Sequence, residues 1–188
     1  HMTGNDRFPN GKFEQLEKAY YGDSSVTVND GDNIHPVKTG YNLSGWTNTT
    51  SGTTKYINAD GTFVAGTTFA DASGKWKKTD GRSYDFYPMW VLKTTVVSFD
   101  LNYTGAGTNP DSITETYSQT AVSASVPTTG PDGYSFAGWY TAKTGGTKMF
   151  KADGSAVTYH WENEDPTMTL YAQWTGTPQT NTALPSTV

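Results

Sequence analysis

Cysteine is absent from all 188 residues of this chain. Its absence excludes disulfide bonds, zinc sites built from thiolates and a cysteine nucleophile in this segment. It does not indicate a cytosolic protein, because exported bacterial surface proteins commonly lack cysteine too. The chain is rich in Thr and has only 13 Lys and Arg residues, a composition that favours export.

Long apolar runs and large basic clusters are also missing. No stretch approaches the roughly 18 consecutive apolar residues of a membrane-spanning helix, so we expect no membrane insertion. The formal net charge is −5, and the densest basic group, formed by Lys75, Lys77 and Lys78, is too small to hold nucleic acid. We interpret that group as part of a solvated loop and exclude nucleic acid and anionic membranes as partners.

The sequence carries no recognisable catalytic or nucleotide-binding motif. It has no nucleophile elbow, no HExxH pair and no phosphate loop, and the glycine-rich stretch 105–107 lacks the flanking strand and helix of a nucleotide site. Of the three histidines, His1 belongs to a tag remnant, while His35 and His160 occupy unrelated positions in the chain. We expect His160 to lie in a surface loop rather than to bind a ligand.

Two stretches rich in Asn and Asp are better explained as turns than as metal sites. Asn29–Asn33 contains Asp-Gly and favours a hairpin turn, since a calcium loop is longer and ends in a bidentate Glu. Asn109–Asp111 is likewise typical of a turn. Paired acids for glycoside hydrolysis depend on their separation in the fold, but the acids here fall mostly in turns. We therefore predict no enzyme and no catalytic, cofactor-binding or metal-binding residues.

What the sequence does contain favours a folded, β-rich protein. Hydrophobic residues make up 34%, charged residues 16% and aromatic residues 14% of the chain, and so high an aromatic content is not typical of disorder. Thr, Tyr, Trp, Phe and Val favour strands, whereas Gly and Asn favour turns. We predict a β-rich α+β fold with small, mostly antiparallel or mixed sheets.

An internal repeat organises the chain. The segment Gly40–Trp46 returns as Gly133–Trp139, 93 residues later. At the same spacing Gly52–Gly61 returns as Gly145–Gly154, and Gly, Thr, Lys, Ala and Asp residues coincide without a gap. The sequence therefore predicts two related units in tandem.

Each copy closes on a similar strand, at a shorter spacing. Tyr84–Trp90 in the first copy corresponds to Met168–Trp174 in the second, 84 residues later, so the first copy carries about nine extra residues. The stretch Thr67–Arg82 is rich in Lys, Asp, Gly and Ser. We predict that it forms an elongated, exposed loop that the second copy lacks.

The two copies open differently. The second begins with a predicted strand over Val96–Tyr103, followed by another over Ile113–Tyr117. The first begins with Asn10–Tyr21, whose apolar residues share one helical face: Phe13, Leu16 and Tyr20. A short helix capped by Asn10 and a divergent first strand are both compatible with this stretch.

The repeated residues suit structural roles. The recurring tryptophans are predicted to lie in the core: Trp46, Trp139, Trp90 and Trp174. The flanking glycines permit positive φ or a close approach of the backbone, and Ala-Asp-Gly at 59–61 and 152–154 predicts a turn. Tyr and Trp lie three residues apart in each closing strand, which places them on opposite faces.

The repeated motifs also resemble those of a known protein family. Gly133–Tyr140, then Gly145–Lys148, then Leu170–Trp174 resemble the Listeria–Bacteroides repeat, also called the internalin B-repeat family, and the second copy matches over Val96–Trp174. The first copy matches from about Val26 to Trp90 and departs at its opening strand. The resemblance implies compact β-grasp-like units, strung in arrays on bacterial surface proteins, that extend functional heads or take part in adhesion. It implies no catalytic residue and no cofactor.

The expected organisation has four parts. Residues 1–2 are a tag remnant, residues 3–91 the first, divergent repeat with an N-terminal extension, residues 92–175 the second repeat, and residues 176–188 a Pro/Thr-rich linker tail. Leu184–Thr187 resembles the start of a sortase sorting signal, and a truncated signal and a chance match both remain open.

The expected function follows from the repeats and the resemblance. We expect a stalk or spacer module of a cell-wall-attached bacterial surface protein, monomeric within a longer multidomain chain, with a host protein or a glycan as partner. The alternative is a carbohydrate-binding module that uses exposed aromatic residues. A module cross-linked by a Lys–Asn bond is a third interpretation.

Overall fold

The computed structural model describes residues 18–26, 36–105 and 107–176. Within these ranges the chain forms eight β-strands, which confirms the β-rich prediction. The chain divides into two compact units, the first ending at Lys93 and the second beginning at Thr94. The described part of the chain contains no helix with the length and apolarity needed to cross a membrane.

The helix predicted over Asn10–Tyr21 lies outside the described residues except for its last four positions. Those positions, 18–21, are not helical, and Tyr21 and Gly22 form a turn. No other described segment is helical either, so the part of the chain that the structure describes supports a β fold and supplies no α element for the α+β prediction.

The first unit contains a three-stranded antiparallel sheet. Strand β1 (Tyr41–Thr47) lies between β2 (Ile57–Asn58) and β3 (Tyr87–Leu92). One face of this sheet packs on a cluster of buried side chains: Trp46, Ile57, Phe63, Phe69, Ala70 and Trp76.

Half of these core residues come from the segment that was predicted to be an exposed loop. The prediction is right that Thr67–Arg82 forms no regular strand, since its only bridge in the described chain joins Ala70 and Trp76. Most of its residues are exposed, as predicted, but Phe69 and Trp76 are buried with their rings stacked 5.6 Å apart. A sheet of three short strands leaves apolar surface uncovered, and these two rings cover it.

The second unit contains a five-stranded mixed sheet. Its strands are β4 (Thr94–Asp100), β5 (Ile113–Thr116), β6 (Tyr134–Tyr140), β7 (Lys148–Lys151) and β8 (Thr167–Gly176). They lie in the order β5-β4-β8-β6-β7, with β4 and β8 parallel and all other pairs antiparallel. The first and last strands of the unit are therefore neighbours at the centre of the sheet.

Alternation along the strands places one face of this sheet on the second core. In β4, Val97 and Phe99 are buried whereas Val96 is exposed, as expected for a strand with one face covered. In β8, Leu170 and Ala172 are buried. The remaining members of the cluster are Leu101, Ala124, Trp139, Phe150 and Trp161. Burying side chains of this size stabilises the fold by about 1.5–3 kcal/mol each.

Candidate functional site

The glycine before each repeated tryptophan forms a β-bulge. Gly45 and Gly138 have φ of 145° and 136°. The strand pairing shifts register just before each glycine, in β1 against β3 and in β6 against β8. A Cβ would lie 2.5 Å from the Ile57 carbonyl oxygen at Gly45 and 2.4 Å from the Phe150 carbonyl oxygen at Gly138. Only glycine fits at these two positions, because both the backbone angle and the close approach exclude a side chain.

The bulge aims the following tryptophan into the core in both units. Trp46 is paired with Ile57 of β2 and Trp139 with Phe150 of β7. Trp46 is 8% exposed and Trp139 is 0% exposed. Their equivalent contexts confirm the prediction that these two tryptophans correspond and lie in the core.

The predicted Asp-Gly turns also have the same structure in both units. The Oδ1 atom of Asp60 accepts hydrogen bonds from the Thr62 hydroxyl at 2.7 Å and the Thr62 backbone N–H at 3.0 Å. Asp153 accepts the same pair from Ser155, at 2.6 and 2.9 Å. These hydrogen bonds, the hydroxyl first, lower the pKa of both aspartates. Each carboxylate is thus engaged in holding its own turn.

A third pair of equivalent tryptophans was missed by the sequence analysis. The backbone N–H of Trp76 donates to the Asp23 carbonyl at 2.8 Å, and that of Trp161 donates to the Gln119 carbonyl at 3.1 Å. Both indoles are buried, one in each core. The signal was available, because these tryptophans are 85 residues apart, close to the spacing of 84 between the closing strands.

The equivalence of Trp76 and Trp161 shows where the extra residues of the first unit lie. The backbone N–H of Val64 donates to the carbonyl of Tyr56, and that of Val157 donates to the carbonyl of Met149, both at 2.9 Å. Because Tyr56 and Met149 occupy the same position in the two repeats, the two valines also correspond. Most of the extra residues therefore lie between Val64 and Trp76, rather than across the whole of Thr67–Arg82.

The same turn occurs in the two units. The carbonyl of Trp76 accepts from Gly22 at 2.9 Å, and that of Trp161 accepts from Ser118 at 2.7 Å. Gly22 and Ser118 both have positive φ, 90° and 60°. The described residues 20–23 thus adopt the turn that follows β5 in the second unit.

The closing tryptophans are less buried than predicted. Trp90 and Trp174 are both only half-buried. Trp174 packs against the second core, with its Nε1 donating to the Leu101 carbonyl at 2.9 Å. They differ from the core tryptophans because they lie opposite Leu43 of β1 and Phe136 of β6, before the residues of these strands that pair with β2 and β7. The predicted alternation is confirmed in β8, where Tyr171 lies on the face opposite to the core.

One acidic side chain is buried in the second unit. Glu115 of β5 is 1% exposed, and its two carboxylate oxygens accept from the Val122 backbone N–H at 3.1 and 3.3 Å. Burial raises the pKa of Glu115 because desolvation disfavours the charged form. The turn equivalence places Ala19 at the same position in the first unit, where it packs on the first core.

The remaining candidate residues lie apart from one another. His160 is exposed and forms an antiparallel β-bridge with Thr120, in agreement with the predicted surface position. Asn109 accepts from the Leu101 backbone N–H at 3.0 Å through Oδ1. Lys75 and Lys77 are exposed, as predicted for the basic group, whereas Lys78 is half-buried with its ammonium group 5.6 Å from the ring centroid of Phe69.

Three of the predicted features lie outside the described residues: His35, Asn29–Asn33 and Leu184–Thr187. Among the residues that the structure does describe, no three His, Cys, Asp or Glu side chains come close enough together to hold a metal ion.

Comparison with known proteins also identifies two copies of a repeat in this chain. The sequence profile of the Listeria-Bacteroides repeat domain matches residues 9–70 and 96–173. The chain belongs to the Listeria–Bacteroides repeat family. Two copies of the repeat are therefore present, as predicted. The first match begins earlier than the predicted range Val26–Trp90 and also ends earlier, within the insertion between Val64 and Trp76.

A protein of Listeria is similar over most of the chain. Internalin H of Listeria monocytogenes serovar 1/2a is 30% identical over 168 residues, which is 87% of this chain and 25% of Internalin H. The chain thus spans about a quarter of that relative. No solved structure matches it significantly.

Proposed function

We propose that these two repeats form a non-catalytic spacer segment of a bacterial surface protein. The observation that carries this proposal is the kind of residue the repeats share. The bulge glycines, the buried tryptophans and the turn aspartates all serve the fold of their own repeat. What the two copies have in common is therefore a stable, repeatable structure rather than a set of reactive groups.

The relatives support a surface location. Internalin H and the Listeria–Bacteroides repeat family are consistent with a secreted or surface protein, and the absence of cysteine fits such proteins. We propose that the parent chain is longer and multidomain, monomeric and attached to the cell wall of a Gram-positive bacterium, and that the repeats hold an adhesive head away from the wall.

We also propose that each repeat is a β-grasp variant. The parallel neighbours β4 and β8 and the order β5-β4-β8-β6-β7 in the second repeat support this. The crossover over residues 117–133, where a β-grasp fold has its helix, is irregular here.

A replacement experiment tests the spacer role. In the parent surface protein, residues 3–175 would be deleted or replaced by two unrelated immunoglobulin-like domains. Deletion should reduce antibody access to the distal head and adhesion of the cells, and replacement should restore both. If replacement fails to restore antibody access, the spacer proposal is wrong. Restored access without restored adhesion would indicate a binding role of the repeats in addition to the spacer role.

A further inference from the structure

A shallow groove of about 430 Å³ opens on the second repeat, beside the end of β8. Its lining includes Tyr134, Trp174 and Pro131, together with Lys143 of the hairpin loop between β6 and β7. The side-chain amides of Asn102 and Gln173 also line it. The groove thus combines aromatic rings with oriented polar groups, the usual composition of a small-molecule site.

The polar side of the groove is held in place by the two amides. Asn102 donates through Nδ2 to the carbonyls of Lys143 at 2.8 Å and Ala172 at 3.0 Å. Gln173 donates through Nε2 to the carbonyls of Ala142 at 3.0 Å and Gly145 at 2.6 Å. Because both protons of each amide nitrogen are used, the hydrogen-bonding group these side chains can offer a ligand is an oxygen acceptor.

The aromatic side is equally well supported. Tyr134 is 55% exposed, and its ring lies over Gly176, where a Cβ would come within 3.0 Å of it. Trp174 is fixed by its hydrogen bond to Leu101 and by edge-on contact with Phe136, at 5.5 Å between ring centroids. The rings therefore present apolar surface in a defined orientation to anything that enters the groove.

The charge of the groove points to a neutral ligand. Its lining includes a single cation, Lys143, whose ammonium group lies 5.6 Å from the ring centroid of Tyr171. Phosphate or polyanion sites use several cations or Arg forks, and the chain carries a net charge of −5. A ligand with hydroxyl donors and an apolar face meets both sides of the groove.

We propose that this groove binds a neutral carbohydrate chain. A pyranose ring would lie with its C–H face against Tyr134 and donate hydroxyls to the amide oxygens of Gln173 and Asn102. The ammonium group of Lys143 would donate to a ring or hydroxyl oxygen. This binding goes beyond the spacer role and does not depend on it.

The first repeat provides an internal control. Strand register places Trp90 opposite Leu43 as Trp174 lies opposite Phe136, and makes Met89 the counterpart of Gln173. The backbone N–H of Tyr41 donates to the Lys38 carbonyl, and that of Tyr134 donates to the Pro131 carbonyl, both at 3.1 Å. Lys38 is therefore the counterpart of Pro131.

These two exchanges remove the site from the first repeat. The side chain of Met89 has no amide oxygen. The Lys38 ammonium group lies 4.8 Å from the ring centroid of Tyr41 and 5.9 Å from that of Trp90. The first repeat therefore keeps the aromatic pair with a lysine across it, and only the second is expected to bind sugar.

The test uses the whole chain on an array of neutral and acidic oligosaccharides, followed by calorimetric titration with the neutral oligosaccharide that binds best. Tyr134→Ala and Gln173→Met should each weaken binding about tenfold or more without lowering the melting temperature of the first repeat. Gln173→Met introduces the residue that the first repeat carries at that position. Tyr41→Ala is the matched control and should leave the affinity unchanged.

Three results would overturn the carbohydrate site: binding to no glycan, binding to acidic glycans alone, or an unchanged affinity in Tyr134→Ala. Tyr134 is exposed, so its replacement remains informative if Gln173→Met loosens the hairpin loop. The spacer test reports access to a distal head, and the array reports binding. Failure of one proposal is therefore distinguishable from failure of the other.

Discussion

The two repeats share a motif but surround it differently. In the described residues, the first has a three-stranded sheet and the second a five-stranded one. Both place a tryptophan after a bulge glycine and have a second tryptophan, Trp76 or Trp161, in the same core. The first repeat adds Phe69 and Ala70 from an irregular insertion. A short motif can thus keep its local geometry while the rest of the core is rebuilt around it.

The two repeats also differ in whether the indole N–H of a buried tryptophan has a hydrogen-bond partner. In the second repeat, Trp139 donates through Nε1 to the Ser125 carbonyl at 3.0 Å, and Trp161 donates to the Thr95 hydroxyl at 3.1 Å. In the first, Nε1 of Trp46 has no hydrogen-bond partner among the described residues. A buried donor that lacks a partner costs about 1–3 kcal/mol, so the second repeat has the better-satisfied core.

The largest expected effect comes from removing the central tryptophan of the second repeat. Trp139→Ala should destabilise that repeat by about 3–5 kcal/mol, since it removes a fully buried ring and a hydrogen bond. Amide signals of residues 94–176 should be lost at lower urea concentration, while those of the first repeat persist. Trp90→Ala, at a half-buried ring, is the control and should cost about 1 kcal/mol. An unchanged urea midpoint in Trp139→Ala would show that the ring is not a core residue.

The insertion of the first repeat gives the next largest effect. Phe69→Ala should destabilise the first repeat by about 3 kcal/mol, because its ring contacts Tyr56, Trp76, Tyr84 and Phe86. The exposed neighbour Thr68 offers a control, as Thr68→Ala should change stability little. Equal urea midpoints for the two variants would mean that the insertion is an exposed loop after all.

The bulge glycines should respond equally in the two repeats. Gly45→Ala and Gly138→Ala should each cost about 1–3 kcal/mol from positive φ, with a further penalty from the carbonyl oxygens 2.5 and 2.4 Å from the added Cβ. Gly66→Ala is the reference variant and should cost less, because Gly66 has φ of 71°, close to the left-handed region, and nothing lies within 4 Å of the added atom. Thermal unfolding of all three variants measures this, and a smaller loss for Gly138→Ala than for Gly66→Ala would contradict the close approach.

The smallest expected effect distinguishes the repeats by pH. The pKa of Glu115 is raised above its ordinary value of 4.5, so the folded second repeat binds this proton more tightly than the unfolded chain. Its stability should be greatest below pH 4.5 as far as this group is concerned and should fall as pH rises through the raised pKa. Glu115→Gln should remove that slope.

The first repeat, with Ala19 at this position, serves as the reference within the same molecule. Urea midpoints of each repeat from pH 4.5 upward provide the measurement. This range avoids the turn aspartates, whose pKa values are lowered from 3.8. A slope that survives in Glu115→Gln would have to come from another group.

Several features could be predicted because their cause is local. The repeat itself, the bulge glycines and the turns at Asp60 and Asp153 each depend on a few neighbouring residues whose backbone preferences are strong. For the same reason Trp46 and Trp139 can be matched from the amino-acid sequence alone. Trp76 could have been matched to Trp161 by its spacing, but the surrounding Lys, Asp and Gly residues gave the opposite impression of an exposed loop.

Two β-rich units of one family, with corresponding tryptophans, turns and glycines, can be read from the amino-acid sequence, because these features follow from short motifs and their spacing. The folded structure adds that Phe69 and Trp76 are buried, that Trp90 and Trp174 are half-buried, and that β4 and β8 are parallel neighbours. Those outcomes depend on partners far away in the chain, such as Phe99 beside Leu170. Burial of a ring is set by what covers it, and local sequence does not contain that information.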